Sequence, residues 1–153
     1  MNGPAYDAIE VLHVASAVVA FGSLAATGWY ASAARQRAEP MSGASTRRYF
    51  RPGRNWAERA LFLVPVFGGI LVGMGGASIA DRAWPWIGLG IWLIAAAAAS
   101  GGIFPAERVL QAGILAHADL ATLRVAARRC ERWSAVTSVL FVAALVVMIW
   151  QPG

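Results

Sequence analysis

A chain of 153 residues that is 58% hydrophobic and only 14% charged falls outside the soluble globular range. All thirteen basic residues behind the net charge of +5 are arginines, and twelve of them lie in the two segments 35–59 and 108–132. Segregation of this kind is what the positive-inside rule produces, so the charge reports membrane orientation and nucleic acid is excluded as a partner.

The first helix is expected over 6–34. Its apolar stretch, 9–34, would reach about 39 Å as helix, enough for a hydrocarbon core of about 30 Å. No basic residue precedes it and it is too long for a signal-peptide core, so it reads as a retained span. Glu10 and His13 lie near its start, three residues apart and therefore neighbours on one face, with Asp7 a further turn out. Titratable groups inside a span are costly, which makes them functional candidates by default. Ser16, Ala20, Gly22, Ser23, Ala26 and Gly28 are small enough for close helix approach.

Residues 35–54 read as a cytoplasmic loop, broken by Pro40, Gly43, Pro52 and Gly53, with Tyr49 and Phe50 placed along the headgroups. Asn55 and Glu58 have capping-box spacing and start a second helix over 56–76. Pro65 should kink that helix, and Gly69 with Gly73 predicts a tight crossing. The run Gly73-Met74-Gly75-Gly76 is no phosphate loop, because no strand precedes it and no lysine follows. A short turn with Asp81 and Arg82 leads to a third helix over 84–104, which Pro105 ends or bends. The second cytoplasmic segment, 107–133, places Arg124, Arg128 and Arg132 on one helical face opposite Leu123 and Ala127. That amphipathic lead-in opens a fourth helix over 120–150, of which 134–150 crosses the membrane, and its basic face meets anionic headgroups. Cys130 has no intramolecular partner and is expected as a free reduced thiol.

The fold expected is therefore all-α: an integral membrane up-down four-helix bundle, one domain over 1–153. Seven arginines lie between helices one and two, one between two and three, five between three and four, and none at either end. Both termini should lie outside the cytoplasm in a bacterial inner membrane.

With that topology His13, Met74 and Met148 fall in the outer half of the bundle. Imidazole and thioether together suit copper, Cu(I) above all, and Glu10 could fix the histidine tautomer. A haem b with His13 as axial ligand is the other cofactor class, and a proton relay the third role. Against these stands the plain alternative, in which His13 is a hydrogen-bonded residue between helices and the methionines fill space. His117 belongs to the opposite side of the membrane from His13, which argues against bis-histidine haem ligation. Glu10-x-x-His13 matches half of a di-iron carboxylate motif, but the remaining glutamates sit in the cytoplasmic segments and no di-iron centre is expected. No nucleophile triad, Walker or zincin pattern points to an enzyme.

Leu12-His13 with Gly22, the run from Arg48 to Arg59, and Pro105-Ala106-Glu107-Arg108 resemble a bacterial family of predicted integral membrane proteins of unknown function. The resemblance covers most of the chain and implies no activity. The Leu-His opening is more remotely similar to CopD-like copper-resistance membrane domains and to bacterial membrane-bound protoporphyrinogen oxidase. Only His13 carries over, and the lysine that the oxidase uses on a later helix is missing here. The expected function is that of a non-enzymatic accessory or structural membrane protein, with copper or haem handling through His13 as the alternative. Lipids are its expected surroundings, and a second copy or another membrane protein its partner class.

Overall fold

The structure, a computed structural model, describes residues 3–36, 44–53, 55–116 and 118–152. Four helices are long and apolar enough to cross a membrane: α1, Pro4–Gln36; α3, Trp56–Gly75; α5, Ala83–Leu115; and α6, Leu120–Trp150. Two short helices, α2 (Ala44–Tyr49) and α4 (Ala77–Ala80), lie in the connections. The result is an all-α up-down bundle, with the connections at 36–55 and 116–119 at one end and that at 76–82 at the other. We call the former the arginine-rich end.

The first and last spans form the centre. α1 packs most extensively on α6, with α3 against α1 and α5 against α6, while α3 and α5 share a smaller contact. Glycine makes the central crossing close: a Cβ on Gly28 would collide with the Ser134 side chain. Likewise a Cβ on Gly102 would enter the Trp133 ring, and one on Gly88 would lie 2.6 Å from Met148 Cε. Burial is lopsided. One core cluster, built on Ala31, Phe50, Leu110, Ala127 and Cys130, closes the arginine-rich end; a second, with Leu24, Leu61, Ala99 and Ile103, fills the middle. Beyond them no residue of 63–75 is buried by protein.

Both helix-interior prolines leave a carbonyl four residues back without its usual donor, and each is answered from a neighbouring helix. Pro65 frees Leu61 O, which accepts Trp92 Nε1–H at 2.9 Å. Pro105 frees Gly101 O, which accepts Arg129 Nη2–H at 2.7 Å. The third span therefore does not stop at Pro105. A π-helical stretch, Ala99–Ile103, absorbs the irregularity and the helix continues as Phe104–Leu115.

Three other expectations need correction. Gly69 and Gly73 face open space, with nothing within 4 Å of a Cβ at either. The contact face of α3 runs through Gly68, one residue earlier, where His13 docks. Asn55 is the N-cap of its helix but makes no cap bond; its amide donates to Ser23 Oγ on α1 at 3.2 Å, and Glu58 turns inward. The first arginine-rich connection also does more than line headgroups. α2 seals the bundle end with Phe50 buried just after it and Tyr49 stacked on Tyr30 at 4.1 Å between centroids. The expectations for Arg37, Pro40, Gly43, Arg54 and His117 lie outside the described residues.

The amphipathic reading of α6 holds: Arg124, Arg128 and Arg132 are exposed, and Leu123 and Ala127 are buried. Asp119 caps that helix, accepting Thr122 N–H at 2.8 Å and Thr122 Oγ at 2.6 Å. Arg35 on α1 grips Glu131 on α6 through Nε and Nη2 at 3.0 and 3.1 Å, a two-point clamp beside the central crossing. Cys130 is free and buried.

Candidate functional site

His13 points from α1 into the bundle. Its Nδ1 lies 2.9 Å from Val64 O on α3, and its ring covers Gly68. A carbonyl can only accept, so Nδ1 carries the proton and, in the neutral ring, Nε2 keeps a lone pair. Ser16 Oγ donates to the His13 carbonyl at 2.8 Å, tying the same turn to itself. Glu10 is exposed and lines an open, mostly apolar groove with Asp7, Val11 and Val14. Met74 is 47% exposed on α3, and Met148 packs over Gly88 on α5. His13 alone of the four sits in a helix interface with a polar partner. Among the described residues no three His, Cys, Asp or Glu side chains converge where they could hold a metal ion.

The larger polar assembly lies at the arginine-rich end and was not anticipated. Glu58 on α3 is completely buried, and Glu107 on α5 is 6% exposed. The two carboxyls are neighbours close enough to interact. Thr27 on α1 donates to Glu58 Oε1 and in turn accepts from the Tyr49 hydroxyl at 2.7 Å, so the chain Tyr49–Thr27–Glu58 links α2, α1 and α3. Gln111 Nε2 donates to Glu107 Oε1 at 3.2 Å. Glu58 Oε2 is buried with no hydrogen bond. Two ionised carboxylates can only accept, so a bond between the pair requires a proton, and one shared proton would serve both. Burial, together with the charges of Glu58 and Glu107, pushes the Tyr49 hydroxyl above its ordinary value, against the lowering effect of Thr27.

Two arginines follow the two glutamates in sequence. The Arg59 guanidinium lies 3.8 Å over the Phe104 ring, and Arg108 Nε donates to Phe104 O at 3.3 Å. Beside them, between α3 and α5, lies an open crevice of about 650 Å³ lined by Asn55, Trp56, Arg59, Ser100, Glu107 and Arg108 among others.

The signal for this assembly was present in the sequence as a repeated dipeptide, Glu58-Arg59 and Glu107-Arg108, at the arginine-rich ends of two successive spans. Reading Glu58 as a cap and Glu107 as loop hid it.

Four long apolar helices, closed on one another by small residues and carrying buried polar groups, define an α-helical integral membrane bundle. The chain belongs to the family described as predicted integral membrane protein (DUF2269), which it matches over residues 7–151. No curated protein and no solved structure gives a match.

Proposed function

We propose that the protein is a non-enzymatic accessory or structural component of a bacterial inner membrane, with its arginine-rich end in the cytoplasm and both termini outside. The observation that carries the reading is how the buried polar groups are used. Thr27, Tyr49 and Glu58 bond to one another across three helices, and Glu107, held by Gln111 on α5, lies beside them, which favours a locking role over chemistry on a substrate. Orientation is supported by the arginine distribution.

A second reading, copper or haem b handling, is favoured by one observation. His13 donates through Nδ1 to a backbone carbonyl, which is how metal-bound histidines are commonly oriented, and this leaves Nε2 as the ligand nitrogen. Of the methionines that could join it, Met74 is exposed on α3 and Met148 packs over Gly88 on α5. Purification from native membranes in mild detergent, with a visible spectrum and metal analysis, separates the readings. The accessory reading expects no Soret band, no stoichiometric copper, and migration as a defined complex with another membrane protein. A haem or copper signal that His13→Ala removes would overturn it.

A further inference from the structure

We propose that the crevice between α3 and α5 at the arginine-rich end is a binding site for the phosphate of an anionic phospholipid. Its lining holds two cations and one carboxylate, Arg59 and Arg108 against Glu107, for a local excess of one positive charge. Among the described residues neither Arg59 nor Arg108 forms a salt bridge, although the charge of Arg59 acts on Glu58 and Glu107 and that of Arg108 on Glu107. Both are anchored on the same residue, Arg59 over the Phe104 ring and Arg108 on the Phe104 carbonyl, and both line the crevice. Rigid guanidinium forks suit phosphate oxygens. Asn55 and the Ser100 hydroxyl, presented by the π-helical stretch, add neutral hydrogen-bonding groups to the same walls.

The rest of the lining argues for a lipid over a soluble anion. Trp56, 73% exposed at the start of α3, stands where a ring prefers the headgroup level. Phe62, at the crevice wall, and Leu63 and Val66 beyond it are exposed along the same helix, an apolar track for an acyl chain leading from the phosphate toward the membrane centre. Glu107 forms part of the wall but is held by Gln111 and lies next to Glu58, whereas Arg108 is exposed. The site differs from the basic face of α6, where Arg124, Arg128 and Arg132 line up exposed along one helix surface.

Native mass spectrometry of the detergent-purified protein tests this, with phosphatidylglycerol or phosphatidylcholine added. The parent should retain a phosphatidylglycerol adduct and not a phosphatidylcholine one. Arg59→Gln and Arg108→Gln should each weaken it about fivefold, the usual share of one basic residue near an anionic lipid, while Arg128→Gln leaves it unchanged. Ser100→Tyr, which fills the crevice and keeps every charge, should abolish the adduct in a protein that still elutes as the parent does. Equal loss in Arg128→Gln would mean diffuse attraction and overturn the site. So would retention in Ser100→Tyr. Inorganic phosphate at millimolar concentration should not displace the lipid; full displacement would assign the crevice to a soluble phosphate and refute the lipid.

Discussion

Glu58→Gln and Glu58→Ala should have opposite effects on stability, and the contrast probes how the buried assembly is held. Glu58 is completely buried, with one oxygen accepting from Thr27 and the other orphaned beside Glu107. Glutamine keeps the acceptor for Thr27 and places an amide donor where the orphaned oxygen now lies. It also dispenses with the proton that the buried pair would share, so the variant should match the parent or gain about 1 kcal/mol. Alanine removes the hydrogen bond from Thr27, which falls back on Ser23 O, at about 1 kcal/mol, and leaves a cavity costing about 2 kcal/mol more. With an unfolding midpoint moving about 2–4 °C per kcal/mol in a chain of this size, Glu58→Ala should melt on the order of 10 °C lower. Thermal unfolding in detergent, followed by tryptophan fluorescence, reads both. If glutamine is as damaging as alanine, the ionised charge itself is required and the hydrogen-bond account fails.

Gly68→Leu should destabilise by about 1–3 kcal/mol, because a Cβ there already meets His13 Cε1 at 3.1 Å, while Gly69→Leu should be tolerated; the same melting assay compares them. Trp92→Phe keeps the ring but leaves the carbonyl freed by Pro65 without a donor, for a loss of about 1–3 kcal/mol that Leu61→Ile should not reproduce. Hydrogen bonds from Thr122 hold the Asp119 carboxyl below its ordinary value. Its contribution is therefore fully present above the unfolded carboxylate range and lost as pH falls through the folded value. Stability of Asp119→Ala measured from pH 7 down to 2 should fall less steeply than that of the parent. For orientation, cysteines at Ser45 and Ser78 in a Cys130→Ser background should differ, with only the one at 78 labelled by an impermeant reagent from outside; labelling at 45 alone would invert the bundle.

The four spans were legible because membrane length and apolar composition are properties of a run of residues and need no partner. The arginine face of α6 was readable for the same reason, since helical spacing alone decides it. What escaped depends on rotation about a helix axis. Gly68 and Gly69 are indistinguishable in sequence, and only the docking of His13 selects the first. Pro105 looked like a terminus because the sequence does not reveal that Arg129 will answer the carbonyl it frees. Glu58 met a local rule, capping, so the competing possibility of a buried partner on α1 went unseen. His13 was found by its isolation in an apolar run; its carbonyl partner could not be.

The closure of α1 on α6 bears on the order of assembly. Gly28 meets Ser134, and Arg35 grips Glu131, across most of the length of the chain. During synthesis the first three spans can enter the bilayer while the small-residue face of α1 still looks onto lipid. Only when α6 is released does that face find its neighbour. A ribosome stalled before position 134 would leave a nascent chain with inserted helices and an unclosed seam, a substrate for membrane quality control although nearly all of its hydrophobic segments are in place.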